Sequence, residues 1–453
     1  MDQVEYLGLS FLRGEDAAAR EIRKNVRSRT NIPLDTPDVY GCALPIYKMI
    51  LFRNFYNHLS IAVIICLNAI LMVTAMSEIK LVNVVFRHGD RTPDNNGFEM
   101  YPNDPYLNYT FYPTGLGQLT LAGKRREYDL GQKLRNRYSN FLGSLYMPKH
   151  IVAYSSDYDR TKMSLQLVLA SLFPPAFVQR WHKSLIWQPI PASYTPRVDD
   201  KLFLPDECPE YLDEYERVLK TPEVQEIMYQ FEDMRQNLTK LTGKRLERPM
   251  DFFFLYHTFV AESSLGLPLP EWVYDYFPKG SLFDAIIASY NISNKNSKLR
   301  RYFAGPMIRA MIDNMLATQN GASRTKMYLY SGHESNIAAM LQALQVYKPH
   351  VPEYSSALVM ELHQMDSNYF VKILYYTGIP PMFSEITLPG CELLCPFDKF
   401  LDMTTNIIPT NEELICNKRK TPDYANVEYP AAMQDLLYNL MKSSVTKNRI
   451  RLG

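Results

Sequence analysis

Residues 79–93 of the chain read IKLVNVVFRHGDRTP, and this segment indicates the fold class. Its first eight residues are rich in aliphatic and β-branched side chains, a composition typical of a buried strand. Arg87, His88, Gly89 and Arg91 follow at once. Open α/β sheets place ligand sites beyond the carboxyl ends of their strands. The stretch therefore predicts a functional site at a strand end of an α/β domain.

The residue types in this motif are those that bind phosphate. Arginine forks donate paired hydrogen bonds to phosphate oxygens, and glycine permits close approach of the backbone. Pro93 restricts the exit of the loop, and Asp90 is placed to pair with a guanidinium. A solvated charge run is the alternative interpretation, but the mostly apolar strand directly before it argues against that. We expect a local anion site around His88.

Further along the chain, strands alternate with helices on either side of a helical insertion. The pattern predicts strands at 150–156, 185–190 and 326–332, helices capped by Thr120 and Asp157, a helix from Glu334, and a hairpin at 355–376. These elements predict an α/β fold with a central, mainly parallel sheet, helices on both of its faces, and an inserted α-helical cap subdomain.

The domain organisation follows from these patterns. We expect a poorly structured extension at 1–48, a signal peptide or signal-anchor at 49–76, a main domain at 77–420 and a C-terminal tail with a short helix at 421–453. Within the main domain, the α/β core takes up about 77–190 and 320–420, and the cap takes up about 195–315.

An apolar run at 59–76, LSIAVIICLNAILMVTAM, predicts export. Lys48 and Arg53 precede it, which favours a cytosolic N-terminal side. Cleavage after Ala75 and a retained single membrane anchor both stay open, and a buried core helix is disfavoured because the run has no polar face. Either membrane interpretation places the main domain outside the cytosol, in a secreted, lysosomal or membrane-bound protein. Glycosylation sequons at Asn108, Asn237 and Asn291 agree with this.

Composition limits the function classes. The chain has 453 residues, of which 46% are hydrophobic and 21% charged, so a packed core is expected and global disorder is excluded. Lys and Arg number 49 against 48 Asp and Glu, for a net charge of +1. A broad basic surface for nucleic acid is therefore not expected.

The six cysteines favour disulfides over metal ligands. They are Cys42, Cys66, Cys208, Cys391, Cys395 and Cys416. An even number suggests disulfides in an oxidising compartment, and Cys391 and Cys395 are close enough in sequence to close a tight loop. No paired CxxC and no HxxxH completes a tetrahedral site, so we expect no metal and no cofactor.

The chain resembles the histidine acid phosphatase family, branch 2 of the histidine phosphatase superfamily. Four motifs match in order and spacing, namely RHGDRTP, GLGQLTLAGKRREYDLG, SSDYDRTKMS with Arg160, and YSGHES with His333. The resemblance covers about 78–420 and is closest in style to insect venom and lysosomal-type acid phosphatases. It implies a metal-independent acid phosphatase that hydrolyses phosphate monoesters, small or peptidic, through a phosphohistidine, and a homodimer is compatible with it.

The resemblance also implies site residues. His88 would be the nucleophile, its other ring nitrogen donating to a backbone carbonyl, and Arg87, Arg91, Arg160 and His333 would surround the phosphoryl group. Cys208–Cys416 and Cys391–Cys395 match two disulfides common in animal members. The family usually has aspartate as the proton donor where this chain has Glu334.

Two interpretations stay open on this basis. Glu334 is interpreted as the proton donor, which predicts an acidic optimum around pH 4–6 because glutamate titrates near about 4.3, or as a first-turn helix residue, and the two roles are compatible. The whole chain is either an enzyme or a secreted or membrane-bound binding protein on a catalytically impaired scaffold. His257, in the cap, has no partner in the sequence and is interpreted as structural.

Overall fold

The computed structural model describes residues 77–94, 97–204 and 208–414, which all lie in a compact unit that begins at Ser77. The extension at 1–48, the apolar run, Cys416 and the helix expected within 421–453 lie outside the described residues. Among the helices that are described, none has the length and hydropathy to cross a membrane.

One eight-stranded sheet forms the centre of the described chain. Its strands are β1 (Glu78–Arg87), β2 (Ile151–Ser155), β3 (Ser193–Tyr194), β4 (Met327–Gly332), β5 (Ala357–Met365), β6 (Asn368–Tyr376), β7 (Phe383–Ile386) and β8 (Cys395–Pro396). Their order is β3-β2-β4-β1-β5-β6-β7, with β8 paired to β6. Strands β3, β2, β4 and β1 are mutually parallel, and the predicted β5–β6 hairpin adds the antiparallel part.

Helices cover the sheet and form the cap. They are α1 (Leu121–Leu142), α2 (Asp159–Leu172), α3 (Pro209–Leu219), α4 (Pro222–Tyr229), α5 (Glu232–Thr242), α6 (Pro249–Ser264), α7 (Ser281–Ser293), α8 (Ser297–Phe303), α9 (Gly305–Gln319), α10 (Glu334–Ala343) and α11 (Phe397–Thr404). Short 3-10 helices lie at Pro148–His150, Phe177–Gln179, Arg197–Asp199, Glu271–Asp275 and Thr405–Ile407.

Strand β1 is buried on both faces, as its apolar sequence predicts. Leu81 and Val85 pack in a core that includes residues of α9 and α10, whereas Val82, Val84 and Phe86 pack in a core that includes residues of α1 and α2. Alternate residues of a strand point to opposite faces, so one strand serves both cores. The predicted α/β fold with helices on both faces and a helical insertion is confirmed.

Two local predictions were wrong. Asp157 does not cap α2, because its carboxylate accepts hydrogen bonds from Lys162 Nζ at 2.5 Å and from the Arg197 backbone N–H at 3.1 Å. Tyr158 is the N-cap residue instead. Residues 185–190 do not form a strand, and the two-residue strand β3 pairs with β2 in their place. Prolines at 189 and 191 cannot donate to a strand ladder, which explains the shift.

A buried pair of carboxyl groups joins the loop after β1 to the cap. Asp104 of the loop and Glu262 of α6 interact electrostatically, and both are buried. Asp104 Oδ2 and both oxygens of Glu262 have no hydrogen-bond partner among the described residues. Two buried carboxyl groups in one place repel each other unless one of them is protonated. Burial raises the pKa of both groups, so the folded protein retains a proton here.

This pair contributes stability that is lost as the pH rises. The unfolded chain releases the proton above about pH 4.5 while the folded chain keeps it, so each pH unit removes up to about 1.4 kcal/mol of this contribution. The buried histidines act in the opposite direction, so the contribution is measured as the difference in the free energy of unfolding between wild type and Glu262→Gln. We expect this difference to change by on the order of 2 kcal/mol between pH 5 and pH 7, whereas the exposed Glu271→Gln should show no such pH-dependent difference. A difference that does not vary with pH in Glu262→Gln would contradict the retained proton.

Candidate active site

The predicted site residues converge at the carboxyl ends of three adjacent parallel strands. Arg87 ends β1 and lies opposite Gly332 at the end of β4, so His88 and His333 follow at neighbouring positions. Arg160 lies in the first turn of α2, shortly after β2 ends. The parallel pairing of β2, β4 and β1 therefore brings together motifs that are far apart in sequence.

His88 is buried and held in one tautomer. Its Nδ1 lies 2.8 Å from the carbonyl oxygen of Gly89, so Nδ1 carries the hydrogen and donates it. Arg160 Nε donates to His88 Nε2 at 3.2 Å, so Nε2 carries the lone pair. Burial, followed by Arg160, Arg87 and His333, holds the pKa of His88 well below its usual value. The imidazole is therefore neutral, with its lone pair on Nε2.

Arg87 is oriented by three groups and keeps one amino group available. Its Nη1 donates to the Pro352 carbonyl oxygen at 2.7 Å, and its guanidinium lies 4.1 Å from the centre of the Tyr354 ring. Its Nε lies 3.0 Å from Glu334 Oε2. Nη2 is buried and has no hydrogen-bond partner among the residues that the structure describes. This nitrogen can donate to an anion without breaking another contact.

Arg91 and Arg160 each contact a carboxylate that the sequence did not identify. Arg91 binds Glu99 through two hydrogen bonds of 2.8 and 2.5 Å, and Arg160 Nη1 lies 3.0 Å from Asp94 Oδ2. These carboxylates restrain the guanidinium groups before any ligand arrives. The expected guanidinium partner of Asp90 is Arg126 of α1, at 2.8 Å, so Asp90 anchors the loop to α1.

His333 and Glu334 adjoin at the start of α10. His333 Nε2 lies 2.9 Å from the hydroxyl oxygen of Ser156, and its ring centre lies 5.5 Å from that of His88. Burial and the charge of Arg160 lower the pKa of His333 to about 3, although Glu334 opposes this. His333 is therefore neutral, and it contributes a ring nitrogen rather than a charge to the unliganded site.

Glu334 is ionised in the unliganded site. Burial raises its pKa, but Arg87, followed by His257 and His333, outweighs burial and holds the pKa well below its usual range. This differs from the titration near pH 4.3 that an unperturbed glutamate would show. The sequence could not indicate the difference, because the pairing with Arg87 depends on the approach of β1 and α10.

Comparison with known proteins identifies the family. Residues 78–376 match the family model of the histidine phosphatase superfamily, branch 2. The chain belongs to this superfamily. A venom acid phosphatase of Apis mellifera is 48% identical over 381 residues, which cover 84% of this chain and 98% of the relative. Prostatic acid phosphatase of Bos taurus is 33% identical over 358 residues, covering 77% and 91%.

A solved structure agrees on the fold. A phytase of Klebsiella sp ASR1 superimposes with a TM-score of 0.58 at 18% identity, covering 76% of this chain and 98% of the phytase. At that identity the likeness shows the fold alone.

This histidine phosphatase is an acid phosphatase that acts on phosphate monoesters, and the phosphohistidine mechanism is general to its family. The alternative of a binding protein on an impaired scaffold is not favoured.

A cavity of about 450 Å³ opens onto the site of this histidine phosphatase. His88, Arg91, Arg160, His333 and Glu334 line its polar end. Nine aromatic residues line it as well, namely Phe98, Tyr158, Phe203, Tyr211, Tyr215, Phe253, Phe254, Tyr290 and Phe303. No lysine lines the cavity among the described residues. The guanidinium groups of Arg91 and Arg160 lie at the polar end, and the walls are mainly aromatic.

His257 of α6 lies at this site, although the sequence suggested only a structural role. Its Nε2 lies 3.6 Å from Glu334 Oε1. The ring is buried and packs against the ring of Phe253, with the ring centres 4.6 Å apart. No local pattern pointed to this contact, because α6 and α10 are separated by 69 residues of chain between Ser264 and Glu334.

Two glycines explain how residues 88–93, which we call the phosphate loop after the expected role of the motif, reach α1. A Cβ on Gly89 would lie 2.5 Å from the Gly123 carbonyl oxygen, and one on Gly123 would lie 2.2 Å from the Asp90 carbonyl oxygen. Thr120 caps α1 through its hydroxyl, which accepts from the Gly123 N–H at 3.1 Å, as the sequence predicts. The loop and the first turn of α1 are thus in backbone contact.

The remaining predicted sites lie outside the cavity. Cys391 and Cys395 form a disulfide, and Cys208 is also disulfide-bonded, while its expected partner Cys416 lies beyond the described residues. The sequon residues Asn108, Asn237 and Asn291 are exposed. No cluster of metal-ligating side chains occurs within the described ranges.

Proposed function

We propose that His88 is the nucleophile of this acid phosphatase and that Arg87, Arg91, Arg160 and His333 bind the phosphoryl group. The observation that carries the proposal is the tautomer of His88. Its Nδ1 donates to the Gly89 carbonyl, so Nε2 carries the lone pair, which accepts a hydrogen bond from Arg160 in the unliganded site and attacks phosphorus in the reaction. Arginines at the polar end of the cavity stabilise the charge of the transferring group, as a metal ion does in other phosphatases.

The reaction proceeds in two displacements. His88 Nε2 forms a bond to phosphorus as the ester P–O bond breaks, and the leaving oxygen takes a proton from Glu334. Water then attacks phosphorus and gives a proton to Glu334, the P–N bond breaks, and inorganic phosphate leaves. Glu334 is proposed as proton donor and acceptor because its carboxylate lies beside Arg87 at the cavity wall.

Substrate binding supplies the proton that the ionised Glu334 needs. A phosphate group places negative charge next to Arg87, so it offsets the guanidinium that depresses the pKa of Glu334. A phosphate monoester with a second pKa near about 6 arrives with one proton on the acidic side of that value. Both effects favour a protonated Glu334 in the complex at acidic pH, which supports an acidic optimum.

The cavity favours leaving groups with an aromatic or apolar part, including those of peptides. Its walls carry nine aromatic side chains and no described lysine, so they contact apolar surface and offer few charges to a polyphosphorylated alcohol. The proposed leaving groups therefore differ from the polyphosphorylated substrate that the name of the similarly folded phytase gives.

We expect turnover of p-nitrophenyl phosphate and of a phosphotyrosine peptide from pH 4 to 6, undiminished by a chelator. Phytate should be hydrolysed at least about tenfold less efficiently, because a loss of about 1.4 kcal/mol in transition-state binding suffices for that ratio. Steady-state kcat/KM for the three substrates, before and after dialysis against chelator, measures both points. Full loss on dialysis, or a preference for phytate, would contradict this assignment.

We place the catalytic domain outside the cytosol. Three exposed sequon residues, a disulfide and acid phosphatase relatives of venom and lysosomal type support this location. We expect a mature chain that begins near Ser77, and N-terminal sequencing of the exported protein tests this. A mature chain that starts at Met1 and resists carbonate extraction would show the anchor instead.

The Cys208–Cys416 disulfide and the homodimer stay predictions.

A further inference from the structure

His257 is a buried histidine that makes no hydrogen bond within the described chain. Its exposed fraction is 1%, and neither ring nitrogen has a hydrogen-bond partner among the described residues. Burying an imidazole without partners is unfavourable, so such a group in a native protein needs an explanation. Its Nε2 lies 3.6 Å from Glu334 Oε1, just beyond hydrogen-bonding distance.

Charged groups surround this pair on several elements. Arg87 contacts Glu334 from the end of β1, and Arg91 adds positive charge from the phosphate loop. His333 precedes Glu334 at the start of α10, and the carboxylate of Glu334 acts electrostatically on the buried Tyr290 of α7. Tyr256 borders the His257 ring, and Tyr354 lies under Arg87. Among these groups, Arg87 is the one that holds Glu334 in the unliganded site.

Glu334 thus lies between a permanent cation, Arg87, and a titratable imidazole, His257. Arg87 is permanently charged and holds Oε2 at 3.0 Å. His257 faces Oε1 and is neutral in the unliganded site, since burial, Arg87 and Arg91 lower its pKa to about 3 while Glu334 opposes them. A phosphate group at Arg87 and Arg91 offsets the charges that keep His257 neutral. His257 can then accept a proton and approach Glu334.

We propose that His257 is a positioning residue that stores the proton which Glu334 delivers to the leaving group. This inference rests on the proposed role of Glu334 as proton donor. In the substrate complex, the carboxyl and the imidazole share one proton, so the site retains it to a higher pH than a lone glutamate would. His257 does not contact the substrate and acts through Glu334.

The proton transfers balance over one turnover. Glu334 gives the shared proton to the leaving oxygen as the ester bond breaks, which leaves an ionised Glu334 and a neutral His257. In the second displacement, Glu334 accepts a proton from the attacking water and shares it with His257 Nε2, and the hydroxide joins phosphorus as the bond to His88 Nε2 breaks. The pair ends the cycle with the number of protons it held at the start.

The test compares two leaving groups across pH. An alkoxide such as that of glycerol phosphate needs a proton, whereas p-nitrophenolate needs little help. His257→Gln keeps a donor of similar reach but cannot store a proton. In His257→Gln, we expect the alkaline limb of the pH profile of kcat for glycerol phosphate to move to lower pH. At pH 6, its kcat should be about tenfold below the wild-type value. For p-nitrophenyl phosphate, the loss should stay below about threefold.

The chain offers a matched control in His363. This buried histidine lies 2.8 Å from Glu361 and 3.1 Å from Ser77, near the opposite end of β1. His363→Gln removes a buried histidine beside a buried glutamate without touching the cavity. It should leave both pH profiles in place, whatever it does to the unfolding temperature.

A binding measurement keeps the test independent of turnover. Sulfate imitates the phosphate charge but takes up no proton above pH 4, so calorimetry in two buffers of different ionisation enthalpy counts protons taken up by the protein. Wild type should take up a fraction of a proton on binding sulfate at pH 5.5, and His257→Gln should take up clearly less. If His257→Gln does not fold, His257→Asn is measured in its place.

The outcomes separate the two proposals. Equal losses on both substrates in Glu334→Gln would reject Glu334 as the proton donor, and this inference with it. A selective loss in Glu334→Gln, combined with an unchanged pH limb and unchanged proton uptake in His257→Gln, would reject only the role of His257. Equal losses on both substrates in His257→Gln would assign it a purely structural role and reject the inference too.

Discussion

His88→Ala should abolish turnover of every phosphate monoester, with a fall in kcat on the order of 10⁴-fold or more. Removing a nucleophile leaves only the binding and electrostatic contributions of the remaining site. The Nε2 lone pair that attacks phosphorus has no substitute at its position, because the centre of the His333 ring lies 5.5 Å from that of His88. Steady-state kinetics on p-nitrophenyl phosphate and glycerol phosphate measure the loss.

Two further measurements separate lost chemistry from lost structure. Sulfate binding and thermal unfolding should stay near the wild-type values in His88→Ala, since the arginines keep their carboxylate partners. Intact-mass analysis after an alkaline quench should show a phosphorylated wild type and an unmodified variant. The exposed His182→Ala serves as control and should retain full activity. Substantial turnover in His88→Ala would show that another group attacks phosphorus.

Glu334→Gln should slow glycerol phosphate by on the order of 10²–10³-fold and p-nitrophenyl phosphate by less than about tenfold. The amide cannot donate a proton to an alkoxide, whereas p-nitrophenolate departs without one. The substitution also leaves Arg87 without its carboxylate, and breaking a buried ion pair costs about 3–5 kcal/mol of stability. The ratio of the two losses is therefore the informative quantity, rather than either loss alone.

Glu334→Asp is the matched variant for this prediction. It keeps a carboxyl group while shortening the side chain by one methylene, so it should retain the wild-type ratio between the two substrates. Any loss that both substrates share would then report the displacement of the carboxylate from Arg87. A Gln variant that slows both substrates equally would move the proton donor to another group or to water.

The sequence predicted the parts of the site that depend on local pattern. The apolar run of β1 placed Arg87 and His88 at a strand end, and the strand before His333 did the same at β4. Thr120 was identified as a cap because its hydroxyl reaches an N–H three residues later. Each of these inferences needs only a few consecutive residues, and the parallel sheet then brings the strand ends together.

The sequence did not predict the residues that tune the site, because they approach from distant elements. Glu99 and Asp94 lie in an irregular loop where no period marks a carboxylate as the partner of a given arginine. His257 reaches Glu334 from α6, and only the docking of the cap on the sheet creates that contact. The ionised state of Glu334 follows from the approach of β1 and α10, which places Arg87 beside it, so the motif alone suggested a different titration.

The contact between Gly89 and Gly123 has a consequence for how this enzyme can change by mutation. Each position is closed to a methyl group by the backbone of the other segment, so no compensating side-chain substitution can open space for it. The two codons are therefore expected to tolerate no replacement in a saturation library, although neither residue contributes a functional group to the reaction. A saturation library should therefore show that Gly123, in the first turn of α1 and well outside the phosphate loop, is as intolerant of substitution as the active site.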